Sequence, residues 1–318
     1  MKKPRQVLLL FGAGASYGSE KDIKTTPALS DGLFQILRAR FPSWRNLDLK
    51  YRDHFQDFEE GMNQVLAQHP LDVSELQRDM AKYFFNFHPS PENLYIRIIK
   101  RLGIKDISFA SLNYDRLLEE AIFRSGFFPK YSLEDKKSEK EVNLCLPHGC
   151  SNLFLTDFGI PPDSLTYTFD DDVFDSSSDP KVIRNDKDFQ NEINLNALPP
   201  IMACFNRRKT SAVGKSFLEK QKRMFEERVL SAGLIVIVGI NVREHDGHIW
   251  CPLAETSAKL LYCSGEEGGK VFKIWRDKFR SAKNDLIFGG YFAAHFDEIC
   301  NTAEDFLRHL PSITTGYN

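Results

Sequence analysis

Apolar positions along this chain come in two rhythms. Short unbroken runs recur at residues 6–11 ("QVLLLF"), 107–112 ("ISFASL"), 142–146 ("VNLCL") and 234–238 ("LIVIV"). Runs this short, with no polar alternation, predict strands buried on both faces of a parallel sheet. Residues 199–205 and 271–275 are read as two further strands, the second closing the core. Helical spacing fills the intervals: 29–40, most of 51–102 with breaks at His69-Pro70 and across 88–91, the stretch after Asp115 up to a stop at Gly126, 214–230 and 296–310. From 151 to 198 the periodicity is lost, and "DDDVFDSSSDPK" within 170–187 reads as an exposed acidic loop. Alternating strands and helices predict an α/β fold, a Rossmann-like parallel sheet with helices on both faces. One domain is expected over residues 1–318, carrying a helical insertion at 41–91 and an irregular insertion at 151–198.

Each predicted core strand runs into a polar motif: "GAGAS", "NYD", "PHG" and "GIN". Ligand sites in such sheets gather at the carboxyl ends of strands. Gly12, Ala13, Gly14, Ala15 and Ser16 present no bulky side chain, so their backbone can approach a pyrophosphate closely. The G-x-G-x-x-G fingerprint is not met, because Tyr17 occupies the third glycine position and Gly18 comes one residue late. A tight turn without a ligand fits the same letters. Asn113 and Asp115 stand where a helix cap is needed, so capping and chemistry are both open. His148 titrates near neutrality and suits a general base, or is a structural histidine in a loop. "EHDGH", with His245 and His248, has a metal-like composition but not the H-E-x-x-H spacing, so no metal site is assigned.

Composition narrows the function classes. The 318 residues are 42% hydrophobic and 27% charged, with a formal net charge of −2. That balance points to no nucleic acid and no membrane surface as partner. No apolar run approaches the ~20 residues of a membrane helix. The run at 7–11 is shorter than the ~7–15 residues of a secretory signal core. The six cysteines form no C-x-x-C pair, and a reduced, cytoplasmic compartment is expected.

The order G-A-G-A-S, N-Y-D, H-G and V-G-x-N, spanning residues 7 to about 246, resembles the sirtuin family. The resemblance implies that Gly12, Ala13, Gly14 and Ser16 hold the phosphates of NAD. It gives Asn113, Asp115 and His148 the chemistry, and Gly239 and Asn241 the adenosine half. The chain lacks the G-I-P-D-F-R segment and both C-x-x-C pairs of the protein-deacylating members, so no structural zinc is expected. "SLNYD", "PALSDGLF" and "VGINVREHD" are similar to the sirtuin-like NAD hydrolases of bacterial antiphage defence. That branch implies cleavage of NAD to nicotinamide and ADP-ribose. It also implies control by homo-oligomerisation or by a partner protein such as an ATPase or a short Argonaute. The alternatives are an NAD-dependent deacylase or ADP-ribosyltransferase, and a non-catalytic subunit that senses NAD or ADP-ribose or serves as a scaffold.

Overall fold

The apolar runs become the middle of one sheet. The computed structural model describes residues 6–132, 138–156, 159–161, 165, 172–209, 211–281 and 284–310. Its strands are β1 (Gln6–Phe11), β2 (Ile107–Ser111), β3 (Phe128–Lys130), β4 (Glu141–Cys145), β5 (Leu153–Phe154), β6 (Lys181–Val182), β7 (Ala232–Val238), β8 (Lys259–Cys263) and β9 (Leu286–Phe288). Seven of them form a sheet in the order β3-β4-β2-β1-β7-β8-β9. Every pairing in it is parallel. β5 and β6 make a separate antiparallel pair. The strand order reverses direction at β1, which lies between β2 and β7, so the crevice of this Rossmann-like sheet opens at their carboxyl ends.

Twelve helices accompany the described strands: α1 (Ala13–Tyr17), α2 (Ser30–Arg40), α3 (Pro42–Tyr51), α4 (Phe58–Gln68), α5 (Val73–Phe85), α6 (Leu94–Leu102), α7 (Leu117–Arg124), α8 (Asp186–Leu195), α9 (Lys215–Ser231), α10 (Gly247–Glu255), α11 (Gly265–Phe279) and α12 (Phe296–Arg308). Alternate residues of β1 serve two cores. Val7, Leu9 and Phe11 pack into the larger one with α2, α4 to α7 and α12. Leu8 and Leu10 pack into the smaller one with Met224 and Phe225 of α9, Trp250 of α10 and Phe272 of α11. A strand buried on both faces has no need of polar alternation, which is why the runs are continuous.

Three expectations are corrected. Residues 271–275 are not a strand but lie inside α11. Gly265, Gly269, Phe272 and Trp275 are its buried stripe, while Val271 and Ile274 face solvent. The apolar letters alternate helically, and the adjacent Gly268-Gly269 pair, a poor helix former by itself, lies within the helix. The last core strands are β8 and β9. Residues 199–205 form no strand; Met202 makes a single bridge to Gly149. The 151–198 segment is not irregular throughout, since it contains α8, capped by Asn185, whose side chain accepts the Asp188 amide. Phe189 of α8 stacks on Phe85 at 3.8 Å between ring centroids. The expected acidic loop at 170–187 falls in part, at Asp170 and Asp171, outside the described residues.

The turns after β1 and β7 interlock. The Gly12 amide donates to the Val238 carbonyl at 2.9 Å, and the Gly14 amide to the Gly239 carbonyl at 3.0 Å. Gly239 has φ +67°, and a Cβ there would stand 2.0 Å from the Ala15 nitrogen. Gly126, which ends α7 with its amide on the Phe123 carbonyl and the Phe127 amide on the Ile122 carbonyl, has φ +85° with open space around it. Gly126→Ala should therefore cost only the left-handed conformation, about 1 kcal/mol. Gly239→Ala adds a backbone collision and should cost on the order of 3 kcal/mol. Thermal unfolding of the two variants measures the difference, and equal midpoints would show that the interlock is loose.

Candidate active site

A cavity of about 520 Å³ opens over the carboxyl edge of the sheet. Its size suits a small-molecule ligand. Gly12 to Gly14 line it after β1, Leu112 to Asp115 after β2, His148 after β4, and Gly239 to Asn241 after β7. Ser264 to Gly268, opening α11 after β8, line the far side. That last segment escaped the sequence reading because β8 ("KLLYC") was not recognised as a strand. The cavity is thus walled by strand ends, with Glu59 of α4 and Phe84 of α5 closing it from the helical insertion and Phe205 and Lys209 from the segment that precedes α9.

Eight of the nine expected site residues line this cavity; Ser16 stands behind its wall. The Ser16 hydroxyl donates to Asp115 Oδ1 at 3.2 Å. Its lone pairs take the Asn113 amide at 2.9 Å and the Tyr95 hydroxyl at 3.0 Å. A serine hydroxyl has one proton and two lone pairs, so this set saturates it. Gly14 sits under similar restraint. Its amide is committed to Gly239, and a Cβ would stand 3.0 Å from the Gly239 Cα, so a side chain there disturbs packing before it disturbs a ligand. Ala13 is exposed in the cavity wall.

Asn113 Nδ2 also donates to the Gly12 carbonyl at 3.0 Å, which fixes the amide plane. Asn113 Oδ1 is buried and, among the described residues, has no hydrogen-bond partner. Tyr114 Oη is in the same condition. Buried acceptors and hydroxyls in that state mark positions where a ligand or water belongs. Asp115 Oδ1 accepts the Leu117 amide at 3.0 Å, so it does steady the start of α7 as well as hold Ser16. Burial pushes the Asp115 carboxyl up to about 6.

His148 is buried at the Pro147-His148-Gly149 turn, where Gly149 has φ +77° and a Cβ would stand 2.0 Å from the Ile201 carbonyl oxygen. His148 Nδ1 lies 3.3 Å from the Leu112 carbonyl, which can only accept, so the proton sits on Nδ1. That leaves the Nε2 lone pair free of its own proton. It faces His248 Nε2 at 2.8 Å, so His248 Nε2–H is the donor. Burial, reinforced by Lys209 and His248, holds the His148 imidazole well below its ordinary value, hence neutral. His248 on α10 is held to about 4 by burial, with Lys222 and Lys209 adding to it.

The sequence reading missed a second cluster beside His148. Glu59, almost fully buried, takes Lys209 Nζ at 2.5 Å on one oxygen. Its other oxygen takes Arg243 Nη1 at 2.7 Å and His245 Nε2 at 2.7 Å. Burial raises the Glu59 carboxyl, but Lys209, Arg243 and His245 outweigh it and hold the group below its ordinary value. Lys209 adopts φ +49°, an unusual backbone for a side-chain-bearing residue. Glu59 stands among acidic neighbours Asp57 and Glu60, and Lys209 follows Arg207 and Arg208, so nothing local marks these two as a pair.

No family model matches the chain, and no curated protein matches it. Among solved structures, one described as "The Structural basis of Sirtuin Substrate Affinity" is similar at 15% identity, covering 96% of this chain and 94% of its own, with a TM-score of 0.37. So loose a superposition assigns no residue, and the site stands on the geometry above.

Asp115 sets a pH signature. Its folded carboxyl holds a proton up to about 6, whereas the ordinary value is 3.8. The folded state therefore loses stability as pH rises from about 4 to about 6, by an amount on the order of 3 kcal/mol. Asp115→Asn should be more stable than wild type at pH 7 by roughly 1–3 kcal/mol, the gap closing below about pH 4. Denaturant melts at both pH values measure it; a gap independent of pH would show that the carboxyl is not so perturbed.

Proposed function

We propose that this chain is an NAD hydrolase that cleaves the bond between nicotinamide and ribose, releasing nicotinamide and ADP-ribose. The observation that carries the reading is the convergence of Asn113, Asp115 and His148, from two different strand ends, on one cavity that also meets the Gly12–Gly14 turn. The sequence order of those motifs is the one that resembles the sirtuin family.

The chemistry asks little of the protein beyond positioning. Nicotinamide leaves as a neutral pyridine, and the ribose passes through an oxocarbenium-like state, as in glycoside hydrolysis. His148 is neutral and carries its lone pair on Nε2, the state a general base needs. A water or ribose hydroxyl reaches that lone pair by taking the place of the His248 N–H. Asn113 is clamped through Nδ2 and offers Oδ1 to the reacting hydroxyl or water. Asp115 holds Ser16 and the start of α7 in place, and its charge favours the cationic transition state. Ala13 and the backbone of Gly12 to Gly14 stand against the phosphates. Gly239 and Asn241, on the turn beside them, take the adenosine half. The role we assign is that of a defence effector held off at rest, released by self-assembly or by a partner such as an ATPase or a short Argonaute protein. The hydrogen bond from His248 onto His148 is in keeping with such a resting state.

His148→Ala and Asn113→Ala should each lower nicotinamide release by at least ~10² while NAD binding and the fold persist. The double variant should be little worse than either alone, because groups acting as a unit are not additive. His309, exposed on the far helix end, is the control; His245 is unsuitable because it grips Glu59. Full activity in His148→Ala, in a preparation where the wild type turns over, would overturn the mechanism. Ala13→Leu should weaken NAD binding without lowering the melting temperature, measured by calorimetric titration beside a thermal melt. Unchanged affinity would remove the first turn from the site.

A further inference from the structure

The pair His148 and His248 has a third neighbour. Donor atoms of His148, Asp246 and His248 all lie within 4.8 Å of one another. Asp246 is 8% exposed, and its Oδ1 has no hydrogen-bond partner among the described residues. His148 and Asp246 line the cavity, so any ion held by the three would keep a coordination position open to it. We propose that His148, Asp246 and His248 form a site for a divalent transition metal of the zinc or cobalt type, and that an ion bound there silences the chain by taking the lone pair of His148.

The donor chemistry fits. Two imidazoles and one carboxylate are a recurring ligand set for such ions. Metal ligation needs neutral imidazoles, and burial keeps both histidines neutral at pH 7. His148 already carries its proton on Nδ1, bonded to the Leu112 carbonyl, which leaves Nε2 as the ligating atom with its orientation fixed. His248 has only to move its proton to Nδ1, so no net charge changes on either ring. The Nε2 atoms stand 2.8 Å apart and would separate to about 3.3 Å around an ion at ~2.0 Å from each. Asp246 would exchange an orphaned oxygen for a cation.

The surroundings also set the kind of site. Lys209 and Lys222 already press positive potential on the two histidines. They disfavour a dication, and with three ligands and an open side the ion would exchange rather than be locked in. This is therefore no structural zinc of the four-cysteine kind. In sequence, Asp246 and His248 sit together in "EHDGH", while the third ligand is supplied by the "PHG" turn, so no spacing rule could have joined them. The inhibitory half of the proposal rests on His148 being the base; the metal site itself does not.

The test uses the full chain, stripped with chelator, in a Cys251→Ser background, because Cys251 is the exposed thiol. Co²⁺ is titrated and followed by its visible absorption, and Zn²⁺ by calorimetry. One ion per chain is expected, with the bands of a nitrogen–oxygen site. His248→Ala and Asp246→Asn should each weaken binding at least about tenfold. If either variant melts early, long-range ¹H–¹⁵N spectra of the unmutated histidines replace it, and both Nε2 signals should move on adding Zn²⁺. Where nicotinamide release is measurable, Zn²⁺ should suppress it in step with occupancy, and chelator should restore it. No bound ion, thiolate bands, or binding indifferent to His248→Ala would overturn the site. Occupied site with undiminished nicotinamide release would overturn the silencing. A chain that never releases nicotinamide but shows the cobalt spectrum would instead refute the hydrolase reading and leave the metal site standing.

Discussion

The fold turns on how closely the β1 and β7 turns approach. Gly12, Gly14 and Gly239 bring two backbones into hydrogen-bond contact where any Cβ would collide, at 2.4 Å from Ile240 for Gly12 and 2.0 Å from Ala15 for Gly239. That contact lets two adjacent parallel strands end side by side and still leave space above them. The cavity floor is the outcome. Asn113 is then fastened to the same floor through the Gly12 carbonyl, so β2 joins the arrangement by a side chain rather than by a further backbone contact. Bulk at any of the three glycines would move the Asn113 amide along with the floor.

The wall above this floor is electrostatic. Glu59 comes from α4, in the helical insertion, yet its carboxylate joins Lys209, Arg243 and His245 from two other segments. Breaking one partner of such a buried cluster leaves a charge without compensation, which costs far more than a surface pair. The insertion is therefore bonded into the cavity rim. Its many aromatic contacts, such as Phe34 on Phe55 at 4.1 Å and Phe58 on Phe205 at 4.8 Å, hold that bond in register with the sheet.

Much of this was legible from the letters alone. β1 and β7 are nearly continuous apolar runs, the pattern that burial on both faces produces, while β2 and β4 stay legible although Ser108, Ser111 and Asn143 interrupt them. Their polar ends named the cavity wall before any geometry existed. What escaped has a common cause. β8 begins with Lys259 and ends with a cysteine, so its run is too short to stand out, and losing it lost the Ser264–Gly268 rim. α11 was mistaken because Val271 to Trp275 was read as a short apolar run, when Phe272 and Trp275 belong to a helical stripe that begins at Gly265 and Gly269. His248, Asp246 and Glu59 acquire meaning only from residues about a hundred or more positions away. Ser16 was expected to meet the phosphates, and its saturated hydroxyl could be seen only with Tyr95, Asn113 and Asp115 beside it.

The strand order has a consequence for biosynthesis. β1 lies between β2 and β7, pairing Leu9 with Phe109 on one side and with Val236 on the other. A ribosome has released β1, β2 and β4 long before β7 emerges. Until it does, the Gly12 and Gly14 amides have no Val238 and Gly239 carbonyls to meet, and the cavity floor does not exist. The nascent chain thus carries Asn113, Asp115 and His148 without the cavity they line, and the floor forms only once β7 has emerged.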